Sequence, residues 1–97
     1  MKYKIQYSVF AKEDVKEIKN YLEQFYPSTP QKFMEEWKKH VELIKINPRL
    51  HEVYESNPTY RKMVILNYVV FYRIKEKEKI ILLYRVLHGK QNIVRHI

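Results

Sequence analysis

The spacing of the apolar residues changes near the middle of this chain of 97 residues. Up to residue 46 they recur every three or four positions, which is the spacing of amphipathic helices that bury one face. From residue 60 onward they form short runs rich in Val, Ile, Leu, Tyr and Phe, which are typical of strands. The change predicts a two-layer fold in which helices cover a sheet.

Two helical stripes precede the change of spacing. The first begins after Ser8, a good N-cap, and consists of Ala11, Val15, Ile18, Leu22 and Phe25. The second consists of Phe33, Trp37, Val41 and Ile44. Pro27 is expected to end the first helix, Ser28 and Gln31 have the spacing of a capping box, and Asn47-Pro48 stops the second helix. Two such helices joined by a short turn form an antiparallel hairpin.

Four stretches have strand character. Residues 2–7 alternate polar and apolar side chains, and the remaining three stretches are residues 60–66, 68–74 and 79–87. Asn67 and the charged turn 75–78 separate the last three, and connections this short join antiparallel neighbours. The predicted fold is therefore α+β, in the order β-α-α-β-β-β, with a helical hairpin packed on one face of a mainly antiparallel sheet. We expect residues 1–97 to form a single domain.

The composition excludes several classes of function. The chain has no cysteine and a single glycine, Gly89, so it has no disulfide, no thiol nucleophile and no glycine-rich phosphate loop. His40, His51, His88 and His96 show no metal-ligand spacing, and we expect neither a metal nor a cofactor. No apolar run exceeds five residues, so we expect no membrane span and a location in the cytoplasm.

Positive charge is concentrated in the C-terminal part of the chain. Residues 60–97 carry nine basic and two acidic side chains, a net charge of +7, whereas residues 1–59 are close to neutral. Like charges repel one another in the folded state, so this concentration predicts an anionic partner. An ordinary soluble protein with many surface lysines is the alternative.

Each of the three C-terminal strands has one arginine at an odd position, namely Arg61, Arg73 and Arg85. If the registers agree, these three side chains share the sheet face that is turned away from the helices. Guanidinium groups there, among Tyr and Phe rings, can hold phosphates or stack on bases. Arginines that are solvated or paired with nearby carboxylates are the alternative.

Several short motifs occur in an order that resembles a known family. They are Ser8 with Ala11, Asp14 and Ile18, then Tyr21-Leu22, Phe33, Pro48, Tyr60-Arg61-Lys62, Asn67-Tyr68-x-x-Phe71-Tyr72, and Arg85-Val86-Leu87-His88-Gly89-Lys90-Gln91. Together they resemble the ParE/RelE superfamily, the toxins of bacterial type II toxin–antitoxin modules, and look more like the ParE branch. The resemblance implies a toxin that a cognate antitoxin holds inactive in a hetero-oligomer.

The two branches of this superfamily imply different activities. ParE-like members inhibit DNA gyrase and have no catalytic residues of their own, whereas RelE-like members cut mRNA in the ribosome with a basic and aromatic cluster. In several such nucleases an arginine opens the strand that begins here with Asn67-Tyr68-Val69, and the matching position is Val69. The tail after Gly89 also lacks the tyrosine that many of them use. The resemblance therefore favours a gyrase inhibitor.

Three hypotheses remain: a gyrase inhibitor, a ribosome-dependent mRNA endonuclease, and an inactive member that only binds its antitoxin. A nuclease would use Arg61, Arg85 and His88, although a second group for proton transfer is missing. For contacts with the target or the antitoxin we expect Arg61, Lys62, Arg73, Arg85, His88 and Lys90, with the helical hairpin as a further docking area.

Overall fold

A computed structural model describes residues 2–25, 29–89 and 97. Its elements are β1 (Lys4–Tyr7), α1 (Val9–Phe25), α2 (Thr29–Ile46), β2 (Arg61–Ile65), β3 (Tyr68–Lys75) and β4 (Ile80–His88). This order confirms the predicted α+β fold. The predictions for Pro27, Ser28, Lys90 and His96 lie outside the described residues.

The four strands form one sheet in the order β1-β4-β3-β2. The last three strands are an antiparallel meander, as the short connections predicted. β1 lies parallel to β4 and pairs Lys4 with Ile80 and Tyr7 with Leu83. The two helices lie between β1 and the meander in sequence, and a parallel pair requires a long connection of this kind.

Both helices pack on one face of the sheet and bury their apolar stripes there. The core consists of Ala11, Ile18, Leu22, Phe33, Trp37, Val41 and Ile44 from the helices and Met63, Ile65, Tyr68, Val70, Tyr72, Ile81, Leu83 and Val86 from the sheet. The Phe33 ring meets the Tyr68 ring edge-on, with centroids 5.4 Å apart. The Trp37 indole N–H donates to the Tyr7 hydroxyl over 3.1 Å, which gives the largest core side chain a polar partner.

Ser8 caps α1, as predicted. Its Oγ accepts a hydrogen bond from the Ala11 N–H at 2.9 Å and donates one to the Tyr84 carbonyl at 2.5 Å. The Ser8 hydroxyl, directly after β1, therefore caps the first turn of α1 and bonds this end of the helix to β4. Neither of the two helices is long and apolar enough to cross a membrane.

The prediction that Arg61, Arg73 and Arg85 share the open face, meaning the sheet face turned away from the helices, is wrong for Arg61. The turn between β2 and β3 contains two residues, Leu66 and Asn67, so that Ile65 pairs with Tyr68 and Arg61 with Tyr72. Odd positions of β2 therefore lie beside even positions of β3, on the face that the helices cover. By register Arg73 and Arg85 belong to the open face, but the Arg85 guanidinium bonds to Asp14 of α1, so the predicted cluster of three arginines does not form.

Part of the open face is covered by the segment that leads into β2. The Tyr54 N–H donates to the Tyr60 carbonyl, and Val53 forms an isolated antiparallel bridge with Arg61. The Tyr54 ring packs edge-on against Phe71 at a centroid distance of 5.1 Å, and Phe71 is fully buried although it faces away from the helices.

Candidate functional site

An irregularity in β4 creates the most distinctive site of the described structure. Tyr72 pairs with Leu83 but Phe71 pairs with Arg85, so Tyr84 is an extra residue in a β-bulge. β1 ends at the same level, because its last residue pairs with Leu83. Beyond this point no strand of the described residues borders the outer edge of β4, and the first turns of α1 lie beside it.

Asp14 of α1 bonds to this edge. Its Oδ2 accepts hydrogen bonds from the Val86 backbone N–H and the Arg85 Nε, both at 2.9 Å, and its Oδ1 accepts one from an Arg85 terminal nitrogen at 3.0 Å. The carboxylate thus takes the place of a strand carbonyl and also neutralises the arginine. The Asp14 and Arg85 side chains are only 11% and 19% exposed. These hydrogen bonds with Asp14 raise the pKa of Arg85, so the guanidinium keeps its charge.

The sequence analysis did not identify Asp14 as a site residue. A signal was present, because Asp14 stands three positions after Ala11 and four before Ile18, on the stripe that faces the core. A carboxylate on an apolar stripe needs a cationic or N–H partner. The sequence did not show that Arg85 is that partner, because the bulge that brings them together has no reliable signature.

A groove of about 640 Å³ lies between α1 and the adjoining ends of β3 and β4. Its apolar part is formed by Ile18, Leu22, Leu66, Tyr68 and Val86, and its polar part by Asp14, Glu17, Asn67, Arg85 and His88. The His88 ring meets the Tyr68 ring edge-on at a centroid distance of 5.4 Å. Of the predicted site residues, Arg85 and His88 are therefore brought together.

Arg61 lies elsewhere and has a structural partner. Its guanidinium donates to the His51 carbonyl at 2.7 Å, and the His51 ring packs edge-on against Tyr72. The Tyr72 hydroxyl in turn donates to the Pro48 carbonyl at 2.8 Å. Burial lowers the pKa of His51 and raises the pKa of Tyr72, so both rings are neutral near pH 7. Arg61 thus fixes the segment that follows α2.

Lys62 and Arg73, which were also predicted as site residues, are separate from the groove. Lys62 is half-buried on the open face, beside Phe71, and its Nζ lies 3.7 Å from a Glu52 carboxylate oxygen. Arg73 is exposed on the open face beside Leu82. Lys90 lies outside the described residues. The structure therefore does not gather the predicted residues into one site.

The chemistry available at these positions is limited. RNA cleavage needs cationic charge at the phosphate and groups that take and give a proton on the same surface. Arg85 and His88 share the groove, but the guanidinium of Arg85 is bonded to Asp14, and Arg61 lies outside the groove and is bonded to the His51 carbonyl. The described residues contain no group of three or more histidine or acidic side chains placed to hold a metal ion.

Comparison with known families identifies the class of protein. The model of the ParE toxin of the type II toxin–antitoxin system, parDE, matches residues 5–93. Because the match covers most of the chain, the chain belongs to this family, within the ParE/RelE superfamily that the sequence motifs indicated. None of the functionally curated proteins matches the chain in sequence.

Solved structures share the fold at low sequence identity. The chromosomal ParDE system of P. aeruginosa has a chain that superposes with a TM-score of 0.72 at 16% identity, over 89% of this chain and 95% of that one. A double arginine-to-alanine mutant of E. coli RelE in the free state superposes with a TM-score of 0.71 at 16% identity, over 99% of this chain and 93% of that one. A chain of the RelBE2 toxin–antitoxin complex of Mycobacterium tuberculosis superposes with a TM-score of 0.65 at 16% identity, over 91% of this chain and 99% of that one.

Proposed function

We propose that this toxin acts as a ParE-like inhibitor of DNA gyrase, works by binding and not by catalysis, and is neutralised in the cytoplasm by a cognate antitoxin. The family match supports the ParE branch. The choice of activity depends on one observation. The two arginines that a nuclease site would use form hydrogen bonds within the chain instead, Arg61 with the His51 carbonyl and Arg85 with Asp14.

These two bonds favour gyrase inhibition over RNA cleavage, because the two activities place different requirements on the arginines. A ribonuclease must present free guanidinium groups to a phosphate, and releasing Arg85 would leave the largely buried Asp14 carboxylate with the Val86 N–H as its remaining donor. An inhibitor that works by surface complementarity has no such requirement. Val69, at the position where several related nucleases have arginine, is consistent with the second case.

The mRNA endonuclease is the second candidate, because Arg85 and His88 line one groove. In that case His88 would be a proton-transfer group and Arg85 the cation at the phosphate. The ribosome and its mRNA would then be the targets in place of gyrase.

A pair of assays on the same purified toxin tests the proposal. Gyrase with relaxed plasmid should lose supercoiling activity as toxin is added, and primer extension on translated message should show no new cuts. His88→Gln should retain gyrase inhibition, since glutamine keeps a polar side chain in the groove and removes only the capacity for proton transfer. Normal supercoiling at excess toxin would overturn the proposal. If cuts then appeared with the parent chain and disappeared in His88→Gln, they would establish the endonuclease.

An antitoxin partner is proposed on the same basis. The P. aeruginosa relative is described as a ParDE toxin–antitoxin system and the M. tuberculosis relative as a toxin–antitoxin complex. A short reading frame beside the gene for this chain should encode a protein that copurifies with it. Adding that protein in equimolar amount should restore supercoiling, and failure to do so would exclude it as the antitoxin.

A further inference from the structure

The chain that leaves α2 is attached to the sheet by isolated bonds. We call residues 47–54 the connecting segment; none of them belongs to a helix or to one of the four strands. The Pro48 carbonyl near its start accepts a hydrogen bond from the buried Tyr72 hydroxyl at 2.8 Å, and Val53 near its end forms an isolated bridge with Arg61. A segment held in this way opens at a lower cost in free energy than the strands beside it.

His51 lies in the middle of the connecting segment, and both its backbone and its ring contact the sheet. The His51 carbonyl accepts a hydrogen bond from the Arg61 guanidinium on β2 at 2.7 Å. The imidazole meets the Tyr72 ring of β3 edge-on, with centroids 6.4 Å apart, and the side chain is half-buried. Moving His51 away from the sheet would therefore break both attachments together.

The groups that the neighbouring elements place around His51 offer little to a positive charge. The imidazole of His40 on α2 interacts electrostatically with that of His51, and its Nδ1 lies 2.7 Å from the Glu36 carbonyl and 3.8 Å from a Glu36 carboxylate oxygen. β2 contributes the guanidinium of Arg61. β3 contributes Tyr72, whose hydroxyl already donates its proton to the connecting segment.

The charged neighbours of His51 along the chain are paired with other residues. Arg49 bonds to Glu76, and the Glu52 carboxylate lies 3.7 Å from the Lys62 Nζ. Among the described residues, no carboxylate forms an ion pair with His51. An imidazolium at this position would therefore be partly buried without a counter-ion, which is unfavourable.

The docked and the detached connecting segment consequently bind a proton with different affinity. In the docked state burial, and after it the repulsion from His40, lowers the pKa of His51 below 6.5, the ordinary value for histidine. In the detached state the imidazole is in water and returns to that value. Docking is therefore fully favoured above pH 6.5 and becomes weaker as the pH falls below it.

We propose that protonation of His51 releases the connecting segment from the sheet, so that the segment acts as a switch that responds to mild acid. Release removes the carbonyl that holds the Arg61 guanidinium and the Tyr54 ring that packs on the buried Phe71. Acid would thus expose a cation and an aromatic ring while the helices and β4 stay folded. The proposal concerns the chain alone and does not depend on gyrase inhibition.

Amide hydrogen exchange of the purified chain, followed by NMR from about pH 7.5 to about pH 5, tests the switch. Each rate is divided by that of an unstructured peptide at the same pH, so that only the opening equilibrium is compared. The N–H groups of Tyr54 and Lys62, which bond to the Tyr60 and Glu52 carbonyls, report on the connecting segment. Below pH 6.5 their opening should increase by up to about tenfold per pH unit, the limit for uptake of one proton.

Three variants assign the response to His51. His51→Phe keeps a ring beside Tyr72 and the backbone carbonyl for Arg61 but cannot bind a proton, so its opening should not change with pH. His40→Gln removes the repulsion and should reduce the response. His88→Gln is the matched control, because it removes a histidine that lines the groove beside α1 and should leave the response of the connecting segment unchanged.

Two results would overturn the proposal. In the first, the opening at Tyr54 and Lys62 in the parent chain rises no more than at Val70, in the middle of β3. In the second, His51→Phe responds to pH as the parent chain does, which would assign the response to other groups. If His51→Phe does not fold, the parent chain decides: the opening must rise with the same midpoint as the His51 ring signals, and a different midpoint refutes the switch. Normal supercoiling in the gyrase assay leaves these results unaffected, so the two proposals fail separately.

Discussion

Asp14 satisfies three donors on β4 with two oxygen atoms: the Val86 N–H and two nitrogens of Arg85. Hydrogen bonds to a charged group contribute about 1.5–3 kcal/mol each to stability when formed inside a protein, and this carboxylate is only 11% exposed. The residue is therefore central to how α1 attaches to the sheet, although it is not one of the apolar residues from which the helix was predicted.

Replacing Asp14 tests this role. Asp14→Ala leaves the arginine and the Val86 N–H without acceptors, and we expect a loss of about 3 kcal/mol in the free energy of unfolding. Asp14→Asn retains an acceptor and should lose about half as much. Urea denaturation measures both. Glu13→Ala is the matched control, since the neighbouring carboxylate is exposed and should change stability by less than about 0.5 kcal/mol. Equal effects at the two positions would contradict the assignment.

Lys79 occupies a backbone conformation that suits glycine. Its φ is 58°, in the left-handed region, at the end of the turn between β3 and β4. Such a conformation costs a residue with a Cβ about 1–2 kcal/mol, whereas the exposed Lys79 ammonium gains a contact with the Tyr3 ring at 5.4 Å and an attraction to the exposed Glu76 carboxylate. We expect Lys79→Gly to raise the free energy of unfolding by about 0.5–1 kcal/mol.

A glycine introduced at Lys77, two residues earlier in the same turn, provides the comparison. Lys77 has no positive φ, so Lys77→Gly only adds freedom to the unfolded chain and should destabilise the protein by about 0.5 kcal/mol. Opposite signs in the two variants, measured by thermal unfolding, are the expected result. A loss of stability in both would mean that the strain at Lys79 is negligible.

At the scale of secondary-structure elements, the Ser8 hydroxyl links three of them, β1, α1 and β4. Ser8 ends β1, caps α1 and donates to the Tyr84 carbonyl in the bulge of β4. Ser8→Ala removes a cap worth about 1 kcal/mol and a second hydrogen bond of similar size, so we expect a loss of about 2 kcal/mol in urea denaturation. Ser8→Thr should stay close to the parent chain. Ser8→Asp can cap but cannot donate, and a full recovery of stability in this variant would show that the bond to Tyr84 contributes nothing.

The elements themselves were predictable, and their registers were not. Apolar spacing located both helices and all four strands, because each buries one face and its pattern records which residues do so. The pairing of Arg61 with Tyr72 depends on a turn of two residues, Leu66 and Asn67, which the composition did not distinguish from a shorter one. A shift of one position moves every side chain of a strand to the other face. The predicted cluster of Arg61 with Arg73 and Arg85 required a register one residue different from the one that the turn produces.

The candidate site was harder to predict than the fold for a related reason. Arg85 and His88 were chosen from the sequence and do share a groove, whereas Asp14 was missed. The contact between Asp14 and Arg85 joins residues 71 positions apart and exists only because a bulge and the end of β1 coincide. Lys4 and Lys75 also come together through pairing of distant strands, which local patterns do not specify.

For the whole molecule, the net charge of +8 is a cost to folding, and part of it is carried by Lys4, Arg73 and Lys75 on the open face. Two unit charges about 7 Å apart, as at alternate positions of a strand, repel by about 0.6 kcal/mol in water. Raising the salt concentration from about 10 to 100 mM shortens the screening length from about 30 to 10 Å. We therefore expect stability to increase with salt by about 0.5 kcal/mol, seen as a rise of about 2–4 °C in Tm.

Two neutralised variants locate the source of that salt response. Lys4→Gln with Lys75→Gln should raise Tm at low salt and reduce the gain on adding salt, since Ile80 then has no cation on either side of it. Lys12→Gln with Lys19→Gln removes the same net charge from a helix where Glu13 and Glu17 alternate with the lysines, and should keep the gain. A fall in Tm with salt in the parent chain would mean that attractive pairs, chiefly Asp14 with Arg85, outweigh the repulsion. A salt response that disappears only in the Lys4→Gln with Lys75→Gln variant would identify these two lysines as the source of the repulsion.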